Sequence, residues 1–245
     1  MTTLSTAAAV LRCFSAQRPE LSTSDVATIL GLPKSNASRL LRAMREAGFL
    51  ETAPGSRRYR PGLPTFELGQ VFRRGSRLTR LVQEAALRLT RARNQASHVA
   101  ILEGRSVVPI FARESARTLP PVPGEHLPAE GTAAGLALLA RLEPAELAAL
   151  YDEMPGDRPA PEALGTVRED GIAALHDPDS DTTTFAAALA DPGTGEAVAL
   201  ALTGTPAEGE ATRAALLGEV RRIAAVVGDR AMLRTRQGEA LRSAA

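Results

Sequence analysis

Leu32-Pro33-Lys34-Ser35-Asn36-Ala37-Ser38-Arg39-Leu40-Leu41 is the stretch on which the fold turns. Pro33 suits a helix start, where its missing N–H costs nothing. Beyond it Ala37, Leu40, Leu41 and Met44 fall on one helical face. Lys34, Ser35, Asn36, Ser38, Arg39 and Arg42 crowd the N-terminal half. A helix that is apolar on one side and polar and basic at its start is what a DNA major groove admits, because the side chains of its first turns reach the base edges. Asn36 matches the donor–acceptor pair of adenine, Arg39 the two acceptors of guanine, and Ser35 a phosphate oxygen.

Upstream, Ser22 is placed to cap a short helix, with Thr23 and Asp25 in its first turn and Val26, Ala27, Ile29 and Leu30 on its buried side. Gly31 ends that helix. An earlier helix over residues 5–17 carries Val10, Leu11 and Phe14 on one face, and Pro19 stops it. Downstream, Gly48 closes the basic helix and Phe49 to Thr52 begins a strand. After the turn Pro54-Gly55-Ser56, the run Arg57-Arg58-Tyr59-Arg60 returns as a second strand. Three arginines around a tyrosine on a hairpin fit a wing lying against phosphates or in a minor groove.

Charge supports this reading once it is divided by position. The net charge of the 245 residues is only +1, but residues 1–80 hold thirteen basic and five acidic side chains, a balance of +8, whereas residues 81–245 stand at −7. A basic head on an acidic body is expected of a polyanion-binding module joined to a part with another task. The lone cysteine, Cys13, excludes a disulfide framework and a Cys-rich zinc site, and in its apolar run it reads as a buried hydrophobe. No run approaches the ~18 apolar residues of a membrane span. The opening MTTLSTAAAV has no basic region before it, so a cytoplasmic location is expected, without membrane partners.

The order Leu32 to Leu41, then Gly48-Phe49-Leu50, then Tyr59-Arg60-Pro61-Gly62 resembles the winged helix of IclR-type transcription regulators. Ala37-Ser38 departs from it, where the family often has a β-branched residue and a larger one, so an operator sequence does not carry over. The resemblance implies a winged helix-turn-helix over residues 1–62 with Ser22, Thr23, Lys34, Ser35, Asn36, Ser38, Arg39, Arg42, Arg57, Arg58, Tyr59 and Arg60 facing DNA. It implies a linker helix over 63–80 that helps the heads dimerise, and a GAF-like effector-binding domain over 81–245. The fold class is therefore α+β, with an antiparallel sheet flanked by helices in the second domain.

The residues of that second domain agree with such an order. Helical patterns cover 65–80 and 76–93, the first ending in Arg73, Arg74, Arg77 and Arg80. Strands are expected over 97–102 and 106–112, and again over 183–190 and 196–203 about the turn Asp191-Pro192-Gly193-Thr194-Gly195. Helices are expected over 131–141, from Pro144, and over 211–233. The likeness is weakest at the Pro-rich Met154–Leu164. By resemblance the effector lies between the 131 helix and the 183–203 hairpin, on Thr132, Ala133, Ala134, Asp177, Thr184, Ala201 and Thr203. A helix start among small residues offers free N–H groups apt for a carboxylate. Glu130 stands where the family commonly has His, and Ala201 where some members have a hydroxyl, which makes this pocket less polar. A carboxylate-bearing or amide-like organic molecule is the expected ligand.

His98, His126 and His176 lie far apart with no carboxylate at metal-ligand spacing, and read as structural or surface residues; neither metal nor cofactor is expected. Gly193-Thr194-Gly195 lacks the rest of a dinucleotide motif. The expected function is a non-enzymatic, small-molecule-responsive regulator, binding a pseudo-palindromic operator as a homodimer or homotetramer. Two rivals remain open at this stage. One is an enzyme with its chemistry in the acidic domain, for which only Glu130, His126, Asp177 and His176 are candidates. The other is a non-specific architectural DNA binder, which needs no pocket.

Overall fold

A computed structural model describes residues 2–15, 17–152 and 158–235, and among these all side chains but those of Arg73 and Arg74. The first four positions of the Pro-rich Met154–Leu164 stretch lie outside the described residues. The chain forms two compact units, Met1–Gly75 and Ser76–Ala245.

In the first unit, α1 (Thr3–Arg12), α2 (Thr23–Leu30) and α3 (Lys34–Glu46) precede β1 (Leu50–Thr52), β2 (Tyr59–Pro61) and α4 (Leu63–Gly75). Val10 and Cys13, Leu21 and Val26, and Ala37, Leu41 and Met44 join Leu50 in one buried cluster. Each helix thus contributes the apolar side its sequence spacing set out, and burying that side drives the assembly. α1 ends at Arg12, short of the expected Gln17. Ser15 and Arg18 exchange backbone hydrogen bonds of 3.2 and 3.0 Å, a tight turn that competes with further helix ahead of Pro19. α2 carries a full capping box: the Ser22 hydroxyl accepts from the Asp25 N–H, and the Asp25 carboxylate accepts from the Ser22 N–H. The wing register pairs Leu50 with Pro61 and Thr52 with Tyr59. Tyr59 also exchanges backbone hydrogen bonds of 2.8 and 2.9 Å with Leu21, so β2 has a partner on both sides.

The second unit opens on α5 (Arg77–Arg93). The two overlapping helical patterns separate at Ser76, which is extended and whose hydroxyl caps α5 by accepting from the Thr79 N–H at 2.9 Å. The helix expected to continue to Arg80 therefore stops at Gly75.

β3 (Ala96–Glu103) and β4 (Ser106–Arg113) follow, then β5 (Leu127–Pro128), α6 (Ala133–Leu139), α7 (Pro144–Asp152) and α8 (Pro161–Asp170). β6 (Ala173–Asp177), β7 (Thr182–Ala190), β8 (Ala197–Gly204), α9 (Gly209–Val227) and α10 (Arg230–Leu233) complete it. One antiparallel sheet has the order β5-β4-β3-β8-β7-β6. Because strand side chains alternate, it has two faces. Val99, Ala187, Leu189, Leu200 and Leu202 pack on the layer of α5 and α9. Ala100, Ala186, Ala188, Ala199 and Ala201 pack on α6. Alanine on this second face lets the α6 backbone come close. A Cβ added at Gly135 would fall 2.0 Å from the carbonyl oxygen of Ala129.

Two elements went unread in the sequence and one reading needs correction. β6 is a strand, although Ala-Ala-Leu-His-Asp has little strand character, because it completes the edge beside β7. α8 is a helix the pattern did not disclose. The long last helix breaks at Gly228, whose φ of +81° ends α9, and Asp229 caps α10.

Candidate nucleic-acid interface and effector site

On α3 the buried Ala37, Leu41 and Met44 turn the rest of the helix outward. Lys34, Ser35, Asn36, Arg39 and Arg42 are exposed and Ser38 is half-buried. Among the described residues none of these six side chains carries a hydrogen bond or an ion pair, so their donors are free for a ligand. Asn36 and Arg39 line a groove of about 590 Å³ together with Thr3 and Thr6 of α1. Sequence reasoning did not single out Thr3 and Thr6; hydroxyls on the first turn of α1 were the available signal.

The wing is less open than its sequence suggests. Arg58 Nη2 donates to Asp25 Oδ2 at 2.8 Å, and Arg60 Nε donates to Glu51 Oε1 at 2.6 Å. Tyr59 is half-buried against the head core. Arg57 is exposed and keeps its guanidinium free. Ser22 and Thr23 stand at the start of α2, with the Ser22 hydroxyl already engaged as the cap. Hydrogen bonds from the Ser22 N–H and hydroxyl, and then the nearby Arg58 charge, hold the Asp25 carboxyl below its ordinary 3.8.

In the second unit the register gathers most of the positions implied by resemblance. Thr184 lies opposite Thr203, and their hydroxyls meet at 2.9 Å. Ala201 is two residues along β8 on the same side, and Ala133, Ala134 and Ala201 share the alanine core under α6. Asp177, at the end of β6, points to this side as well, being two residues from Leu175, which pairs with Thr184. Its carboxyl is kept below 3.8 by hydrogen bonds from the Ser180 hydroxyl and the Asp179 N–H. Thr132 is the N-cap of α6 and accepts from the Gly135 N–H at 3.0 Å. That helix start is thus partly closed by its own cap.

His98 joins the same place. It pairs with Ala201 across β3 and β8 and with Ala112 across β3 and β4. The neighbouring Ser97 points the other way, to the Thr90 hydroxyl of α5 at 2.7 Å. His98 is only 7% exposed, and its Nδ1 is buried with no hydrogen-bond partner. Burial pushes its pKa down to about 4, so the ring is neutral near pH 7. Sequence reading took it for an ordinary structural histidine; its position opposite Ala201 is set by a pairing a hundred residues apart.

The titratable candidates for catalysis do not converge. His126 precedes β5 and His176 and Asp177 lie on β6, at opposite edges of the sheet. Glu130 is held by Arg105 at 3.4 Å and by the Tyr151 hydroxyl at 3.3 Å, with the Arg105 guanidinium 4.6 Å from the centre of the Tyr151 ring. Among the described residues no group of three or more His, Cys, Asp or Glu side chains is arranged to hold a metal. Among them, too, no helix is long and apolar enough to cross a membrane.

The family model described as the IclR helix-turn-helix domain matches residues 3–54. The whole fold superposes on an IclR transcriptional regulator from Silicibacter sp. TM1040 with a TM-score of 0.74 and 26% identity, over 91% of this chain and 96% of that one. Residues 3–54 are thus an IclR helix-turn-helix domain, and the chain has the fold of an IclR regulator. The chain is also similar to the HTH-type transcriptional regulator XynR of Escherichia coli (strain K12), 31% identical over 145 residues, which is 58% of each chain. The chain thus spans little more than half the length of the curated relatives it matches most strongly. An IclR homolog from Microbacterium hydrocarbonoxydans, solved in complex with 4-hydroxybenzoate, shares the IclR fold with a TM-score of 0.71 at 23% identity, over 91% of this chain and 100% of that one.

Proposed function

We propose that this chain is a sequence-specific DNA-binding transcription regulator that responds to a small organic molecule, with residues 1–62 reading DNA, 63–80 connecting and 81–245 binding the effector. The observation that carries the reading is the N-terminal half of α3. Its polar and basic side chains are exposed and unengaged, on a helix whose other side is fixed in a core. Asn36 and Arg39 read base edges; Lys34, Ser35, Arg42 and Arg57, with Ser22, Thr23 and Ser38 at the margins, set the register on phosphates. Arg58, Tyr59 and Arg60 act mainly by shaping the wing.

The working unit is a homodimer or a dimer of dimers. α4 exposes Leu63, Phe66, Leu68, Val71 and Phe72, each more than half accessible, and such a run of apolar side chains in a connector favours self-association. A two-fold protein presents two recognition helices to a pseudo-palindromic site. The effector binds on the α6 side of the sheet, around Thr132, Ala133, Ala134, Asp177, Thr184, Ala201 and Thr203, and shifts operator affinity by preferring one arrangement of the protein. The relative solved with 4-hydroxybenzoate supports a small-molecule ligand of this kind. The scattered catalytic candidates give the enzyme reading no comparable support.

Selection from a pool of randomised duplexes with the purified full chain tests the proposal. Enrichment of an inverted repeat is expected. Uniform recovery of all sequences would leave only non-specific binding.

A further inference from the structure

We infer that His98 is a ligand-reading residue of the effector site, and that the group it reads is an uncharged hydroxyl or amide. The inference rests on the effector reading above and narrows it. A buried polar atom without a partner is unfavourable unless something completes it, and His98 Nδ1 is such an atom, in a residue only 7% exposed. Strand register puts that ring directly opposite Ala201, the smallest side chain that keeps a Cβ, and beside Thr203, whose hydroxyl already meets that of Thr184. One neutral imidazole and two hydroxyls therefore share one side of the sheet, around the small side chain of Ala201.

The charge on that side selects the ligand class. Every other position facing the same way on β3, β6, β7 and β8 is Ala, Leu or Thr, except Asp177. No Lys or Arg stands among them, and Asp177 is ionised near neutral pH. A carboxylate brought against His98 would lose its hydration and meet no cation from these strands. A phenol or a carboxamide gives up less, and a neutral imidazole is at once donor and acceptor for it. Of the two ligand classes expected from sequence, the inference takes the amide over the carboxylate.

The test uses full-length protein labelled with 15N in its three histidines, titrated with phenol, benzamide and benzoate. Phenol or benzamide should move one ring signal, the one missing from His98→Gln, and leave His126 and His176 in place. His98→Leu should weaken that binding roughly tenfold, the loss of one hydrogen bond, and His98→Gln should recover part of it. Benzoate binding as tightly as benzamide would overturn the uncharged class. A probe that raises the melting temperature, is blocked by Ala201→Phe and leaves the His98 signal unmoved would remove His98 from the site but keep the site. Binding blocked by neither substitution, or no binding of any of the three probes, would overturn both.

Discussion

The carbonyl oxygen of Gly48 occupies the place a side chain on Gly62 would need, 2.2 Å from where its Cβ would stand. Gly48 itself has a φ of +81°, and the Gly62 N–H donates to the Phe49 carbonyl at 2.9 Å. The end of the recognition helix and the end of the wing therefore meet backbone to backbone. Gly62→Ala should destabilise the head by about 1–3 kcal/mol, seen as an earlier unfolding transition in urea. An unchanged midpoint would mean that the two segments separate at little cost.

Arg39 and Arg57 should separate by mechanism. Both are exposed with free guanidinium groups, so neither alanine variant should alter the melting temperature. Arg39→Ala should cost about 1–3 kcal/mol of specific affinity, while affinity for unrelated duplex stays nearly the same. Arg57→Ala should weaken all duplexes alike and lower the slope of log affinity against log salt by about one. Gel shifts across a salt series distinguish the two outcomes; a sequence-selective loss on Arg57→Ala would make the wing a base reader.

Asp25 ties α2 to the wing through Arg58, and its depressed pKa fixes the sign of a pH effect. A carboxyl whose folded-state pKa lies below its unfolded value stabilises the fold above the ordinary 3.8 and loses that contribution as pH falls through the lower folded value. Asp25→Asn should therefore melt earlier than the parent near neutral pH, with the gap closing in acid below 3.8. A gap that stays constant through the acid range would show that the carboxylate charge is not what matters. Ser22→Ala, which removes the cap and a hydrogen bond to the Asp25 carboxylate, should cost about 1 kcal/mol near neutral pH and less in acid.

The apolar side chains of α4 should hold two copies together. Phe66 and Phe72 are 62% and 61% exposed in the single chain. The double substitution Phe66→Glu with Phe72→Glu should lower the mass seen by analytical ultracentrifugation without unfolding either unit. An unchanged mass would move the self-association surface off α4.

The head was legible because its determinants are local. Pro33, the spacing of Ala37, Leu41 and Met44, the Ser22–Asp25 box and Gly31 each act within a turn or two of chain, so a one-dimensional pattern records them. The second unit was legible where its patterns are likewise local, in the helices α5, α6 and α7 and in the hairpin around Asp191–Gly195. β6 escaped notice because its strand state comes from β7 beside it, not from its own side chains.

The sequence by itself determined the class of the head, the identity of the side chains offered to DNA and the division of charge between +8 and −7, because helix periodicity, caps and formal charge are properties of neighbouring residues. Only the tertiary structure decided which of those side chains are free. Arg58 and Arg60 are drawn into ion pairs with Asp25 and Glu51, and Arg57 is not. It also decided that His98 faces Ala201 and the Thr184–Thr203 pair. These are consequences of cross-strand register, and register is set by the burial of whole sheet faces against α5, α6 and α9, which no stretch of the chain encodes alone.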